Sequence, residues 1–136
     1  MRRDSEELDG LIVEALRRVG PITAPALAAV LRARGDPMSD AQAYRVLKRL
    51  MARGDIRQIW LGRRYALRTR NDPPSLMLAC SGCGDVRAVP SKVAHTKLRA
   101  AASAAGFEVE EIILEVVGRC ADADCAASNG AVRRRQ

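Results

Sequence analysis

Four cysteines fall in two close pairs, Cys80 with Cys83 and Cys120 with Cys125. Each pair is short enough for both sulfurs to grip one ion, and two pairs complete a tetrahedron. Zinc prefers that all-sulfur arrangement and leaves no position for a substrate when it is closed. Gly82 and Gly84 bracket Cys83, where a metal knuckle needs residues free to take positive φ. The spacing therefore predicts one structural zinc ion per chain, held by Cys80, Cys83, Cys120 and Cys125. It also ties the middle of the chain to its C-terminal part, so residues 80–125 must belong to one folded unit.

Other chemistries fit the cysteines less well. A disulfide framework suits secreted chains, but residues 1–7 are charged from the start and contain no apolar run like that of a signal peptide. A thioredoxin-like pair would explain one cysteine motif and leave the second unexplained. Iron in a rubredoxin-like site remains an alternative on spacing alone. No stretch approaches the roughly 18 apolar residues of a membrane span. The expectation is a soluble, cytoplasmic protein with no membrane partner.

Charge is unevenly placed. Between residues 41 and 70, Arg45, Lys48, Arg49, Arg53, Arg57, Arg63, Arg64, Arg68 and Arg70 face a single acid, Asp55. That excess is greater than the +7 of the whole chain. A solvated basic face is one explanation; a polyanion partner is the other, favoured by the motif that carries the charge. Leu8, Leu11, Ile12, Ala15, Leu16 and Val19 repeat at helical spacing until Gly20 and Pro21 stop them. Thr23 can cap a second helix with Pro25 in its first turn, ending near Gly35 and Pro37. Ser39 opens a third, with Gln42 placed for a capping box and Ala43, Val46, Leu47 and Leu50 facing inward. Gln42, Arg45 and Arg49 share the opposite stripe. After Gly54, segments 56–61 and 65–67 flank Gly62, Arg63 and Arg64, a short hairpin with a basic tip.

Three helices and a basic hairpin describe a winged helix-turn-helix. Its third helix would enter the major groove, where Gln42 and Arg45 could reach base edges while Arg49, Arg63 and Arg64 met phosphates. Periodicity leaves Tyr44 balanced between a core-edge residue and a phosphate or thymine contact. Ser39 and Lys48 complete the candidate DNA-binding set.

A polar, proline-containing stretch at 69–75 reads as a hinge. The second half then runs strand, knuckle, strand, helix, strand. Segments 76–80 and 86–89 are strands, Ser91 can cap a helix to about Ala105, and 107–117 is a long β-rich run that Gly118 breaks before Cys120. So few elements make a small core, which zinc would fasten at one end. A long strand with an open edge invites pairing with a second copy. The predicted class is α+β: a winged-helix domain over 1–68, the hinge, and a small α/β dimerisation domain over 76–136 with the zinc site and a basic C-terminal tail.

The residues in these positions resemble the ferric uptake regulator (Fur) superfamily, including its zinc uptake (Zur) branch. Ala43-Tyr44-Arg45-x-Leu47, followed by Gly54-Asp55-Ile56, resembles the recognition helix, whose usual core is Thr-Val-Tyr-Arg-x-Leu. Cys80-x-x-Cys83-Gly84-x-Val86 resembles the first knuckle. Gly106-Phe107-x-Val109, leading to Gly118-x-Cys120 and Cys125, resembles the last strand and second knuckle. The likeness spans residues 8–125 in the same order. It implies a homodimeric DNA-binding repressor of metal homeostasis or stress response, acting on a pseudo-palindromic operator, and it assigns Tyr44 and Arg45 to DNA.

The departures concern sensing. Such proteins usually carry a stretch resembling His-His-x-His-Leu-x-Cys before the first knuckle. Here residues 74–79 are Pro74, Ser75, Leu76, Met77, Leu78 and Ala79, and the usual last-strand histidine is replaced by the apolar Ile112 and Ile113. His95, the only histidine, lies near a position where the family often places an acidic ligand. A second, regulatory metal would have to draw on His95, Glu110 and Glu111, a poor zinc set. Sensing is thus either rebuilt or lost. The alternative to a regulator is a zinc-stabilised protein-interaction module of the same fold. An enzyme is not expected: there is no Ser/His/Asp set, no phosphate loop and no open metal position, hence no small-molecule substrate.

Overall fold

Asp4 begins the first helix, its carboxylate accepting a hydrogen bond from the Glu7 amide at 2.8 Å. In the computed structural model, which describes residues 4–68, 73–121 and 125, helix α1 runs Ser5–Val19 and ends where Gly20 takes a φ of 76°. Glu6 and Glu7 lie in its first turn and Arg17 and Arg18 in its last, the arrangement that complements the helix dipole. A two-residue strand, β1 (Ile22–Thr23), precedes α2 (Ala24–Ala33). The Thr23 hydroxyl caps α2 by accepting from the Ala26 amide at 3.3 Å.

Helix α3 spans Asp40–Arg53 and begins with a complete capping box. Ser39 Oγ accepts from the Gln42 amide at 3.1 Å, and Gln42 Oε1 accepts from the Ser39 amide at 3.0 Å. The inner stripe of Ala43, Val46, Leu47 and Leu50 is buried. It packs with Ile12 and Leu16 of α1 and Leu27 and Leu31 of α2 into one core, joined by Met38 from the loop between α2 and α3.

Strand β2 (Ile56–Ile59) and β3 (Arg64–Leu67) pair antiparallel, Ile56 opposite Leu67 and Ile59 opposite Arg64. Strand β1 lies on the other edge of β3, with Ile22 opposite Tyr65. The hairpin differs from the expected one at its tip. A 3-10 turn over Leu61–Arg63 replaces the end of the first strand, and Arg64 opens the second. Gly62 and Arg63 both have positive φ, 77° and 52°, so the tight reversal uses both residues and leaves Arg64 to the ladder.

The described residues divide into two compact units, 4–68 in one and the remainder in the other. The second contains β4 (Ser75–Cys80), β5 (Val86–Pro90), α4 (Lys92–Ala104) and β6 (Glu115–Gly118). The central β4 pairs antiparallel with β5 and parallel with β6. Gly106, at φ 85°, ends α4 with the Phe107 amide returning to Ala102 O at 2.9 Å. Ser91 occupies the N-cap position, but its side chain does not bond the first helical turn.

The long strand expected over 107–117 is not formed: regular pairing is confined to Glu115–Gly118. The register explains this. Met77 faces Glu115, so β4, which begins at Ser75, runs out of partners two residues upstream. Backbone groups without a ladder partner have no reason to hold a strand. The expected hinge lies partly outside the described residues, at 69–72, as does the tail at 126–136. Among the described residues no helix is long and apolar enough to cross a membrane.

Candidate metal centre and nucleic-acid interface

Strand pairing brings the cysteines together. Cys80 ends β4 opposite Gly118, which ends β6, so the chain leaving β6 carries Cys120 into the same corner. The first knuckle is tied there by Ser81, whose amide and hydroxyl donate to Gly118 O at 2.7 and 3.1 Å. The Gly84 amide closes the turn on Cys80 O at 2.8 Å. Of the two bracketing glycines only Gly84 takes positive φ, 79°.

The sulfurs of Cys80 and Cys125 are 3.7 Å apart and those of Cys83 and Cys120 3.8 Å apart. All four lie within 4.8 Å of one another. A tetrahedral zinc with Zn–S bonds of about 2.3 Å would have sulfur–sulfur edges of about 3.8 Å. The four thiols are free, as a bond of roughly 2.05 Å would not permit at these separations. The Cys83 and Cys120 amides each donate to Cys80 Sγ at 3.4 Å. They pull that thiol down to about 6, whereas neighbouring Cys80 and Cys125 push the Cys120 thiol up to about 12. Adjacent sulfurs resist shared negative charge; a dication among them removes that conflict. Cys80 and Cys125 are buried, so the centre is closed and suits a structural metal.

The second ligand set is not assembled. Among the described residues the four cysteines form the one cluster able to hold a metal. His95 Nδ1 instead sits 2.9 Å from Ser91 Oγ and 3.0 Å from Ser91 O, one turn back on its own helix. That contact also occupies the hydroxyl expected to cap α4. Glu110 and Glu111 are exposed and follow the helix without joining His95.

On α3 the expected DNA stripe is divided. Tyr44 is 50% exposed, and Arg45 and Lys48 are exposed beside it. Tyr44 also lies near enough to the buried Tyr65 for its phenol to help burial raise the Tyr65 pKa. Gln42 and Ser39 serve each other in the capping box, so the Gln42 carbonyl is committed to the helix start. Arg49, its side chain still 37% exposed, turns towards α1: its Nε donates to Asp9 Oδ1 at 3.2 Å and its Nη2 to the same oxygen. Asp9 holds the Arg49 pKa above its ordinary value, chiefly through that hydrogen bond. On the wing, Arg63 is exposed, whereas Arg64 folds back so that its Nε donates to Leu61 O at 3.3 Å.

Asp9 was not among the residues singled out from sequence. Its signal was there to be read: it lies three residues before Ile12 and seven before Leu16, a carboxylate on the apolar stripe of α1.

No protein-family profile matches this sequence, and no curated protein does. Solved structures do. A zinc uptake regulator complexed with zinc and DNA superposes with a TM-score of 0.69 at 22% identity, covering 88% of this chain and 95% of that one. The holo form of XcZur gives 0.69 at 22% identity, over 84% and 82% of the two chains. The Vibrio cholerae ferric uptake regulator gives 0.61 at 23% identity, over 83% and 88%. The chain has the fold of these regulators.

Proposed function

We propose that this protein is a DNA-binding transcriptional regulator of the ferric uptake regulator type, acting as a homodimer with one structural zinc per chain. The observation that carries the reading is the exposed row of Tyr44, Arg45 and Lys48 on a capped, firmly packed α3, within a fold otherwise found in a regulator crystallised with zinc and DNA. Helix α3 enters the major groove. Arg45 reads a guanine edge, Tyr44 and Lys48 meet the backbone or a thymine methyl, and Arg63 on the wing meets phosphate.

Zinc in the cysteine cage supplies folding free energy and no chemistry, because four thiolates fill its coordination. The second unit supports pairing with another copy. Phe107 and Ile113 are 73% and 77% exposed, and Val93, Leu98, Val116 and Val117 are exposed too. So much apolar surface on a small unit fits an isologous two-fold interface. A dimer places two recognition helices on a pseudo-palindromic operator, where repression follows from occupancy. With no imidazole cluster among the described residues, control by a second metal has no evident ligand set.

Titration of a random duplex library at two salt concentrations tests the reading. Arg45→Ala is expected to cost about 1–3 kcal/mol per half-site and relax sequence preference, whereas Arg63→Ala weakens all duplexes alike. Equal, salt-driven binding of every duplex by the wild type would leave a zinc-stabilised interaction module instead.

A further inference from the structure

Asp9 is the buried charged side chain of the described residues, 8% exposed and set among apolar neighbours on α1. Two arginines of α3 converge on it. Arg49 donates to Oδ1, and Arg53 Nη1 donates to Oδ2 at 3.0 Å. Arg49 Nη2 also reaches Ser5 O at 3.5 Å, and Arg53 turns its remaining donors to Asp55 Oδ2 at 3.0 and 3.1 Å. A carboxylate so placed needs its cations, since a buried charge without partners is costly. The pairing therefore fixes how α3 lies against α1.

It also decides which charges face outward. Arg45, Arg49 and Arg53 follow one another at four-residue intervals, a single row along the helix. Unrestrained, all three would offer guanidinium groups to a nearby polyanion. Asp9 and Asp55 hold the last two, leaving Arg45 with Tyr44 and Lys48. Phosphate contacts add affinity to every sequence equally, so each one lowers the share of the binding energy that base reading supplies.

We propose that Asp9 is a positioning residue of the DNA-binding unit, withdrawing Arg49 and Arg53 from phosphate so that binding depends more on Arg45. This rests on the DNA-binding reading. The expected signature is in salt dependence. Arg49→Ala should leave the slope of log affinity against log salt unchanged. Asp9→Asn should steepen it by about one for each guanidinium that reaches phosphate, and should tighten selected and random duplexes alike. Asp9→Asn with Arg49→Ala should return most of the added slope.

The experiment is duplex titration over a range of salt with the full zinc-loaded chain. Circular dichroism and thermal melts follow folding in parallel. A purely structural Asp9 would lower the melting temperature without changing the slope, and that result overturns the proposal. So does a slope flattened by about one in Arg49→Ala, which would place Arg49 on phosphate. If Asp9→Asn does not fold, the Arg49→Ala slope alone decides. Wild type that binds no duplex would remove the DNA-binding reading itself, an outcome distinct from both.

Discussion

Removing the metal should unfold one unit and spare the other. In the second unit the buried described residues are Ala79, Cys80 and Cys125, with no large aliphatic or aromatic side chain fully enclosed. The first unit buries Ile12, Leu27, Leu31, Met38, Leu47 and Leu50 almost completely. Structural zinc in small peptides contributes about 10–16 kcal/mol, comparable with the roughly 5–15 kcal/mol that holds an entire domain. A unit with so thin a core cannot replace that. Helix α4 has 13 residues beside 15, 10 and 14 in the other three, so its melting should remove about a quarter of the helical ellipticity. The assay is far-ultraviolet circular dichroism of chelated, reduced protein, with zinc loss established by elemental analysis and amide exchange read residue by residue. Full ellipticity after complete zinc loss would refute the reasoning. So would rapid exchange throughout α1–α3, because that core owes nothing to the cysteines.

Four further outcomes follow from the same structure. Leu47→Ala, at a fully buried site, should cost about 2–5 kcal/mol, read as a lower urea midpoint with an unchanged m-value. Ser39→Ala removes the cap of α3 and should cost about 1 kcal/mol in the same assay. Zinc uptake near neutral pH should release close to four protons per ion, because the amides that lower the Cys80 thiol are not in place in the unfolded, metal-free unit and free thiols titrate at about 8.5. Each displaced proton makes zinc affinity decline as pH falls; calorimetry in buffers of different ionisation enthalpy measures the count. Sedimentation equilibrium of zinc-loaded protein at micromolar concentration should give a dimer, and monomer alone would oppose the two-fold interface.

What sequence could convey here depended on how far the deciding contacts lie along the chain. Helices α1, α2 and α3 were legible because their signals are local: Gly20 with Pro21, Thr23, and Ser39 with Gln42 all act within a turn or two. The cysteine pairs were legible because few chemistries need that spacing. Helical periodicity puts Arg49 on the Arg45 row, while the carboxylate it bonds lies forty residues earlier, beyond any local signal. The 107–117 segment failed for a related reason. Its composition favours a strand, but strand formation needs a neighbour, and β4 is too short to provide one. Gln42 was assigned two tasks, and its carbonyl serves the nearer one, the cap of α3.

The parallel pairing of β4 with β6 has a consequence for biosynthesis. Cys80 and Cys83 leave the ribosome well before Cys120 and Cys125, the other half of their cage. At about 5–20 residues per second, the interval is roughly 2–8 s. Throughout it the nascent first knuckle offers two sulfurs, half of the four-cysteine cluster, and α4 is made before the strand that closes its crossover. The second unit thus cannot fold progressively from its N-terminal side. It waits for its last cysteine, the fourth member of the cluster that could hold a metal.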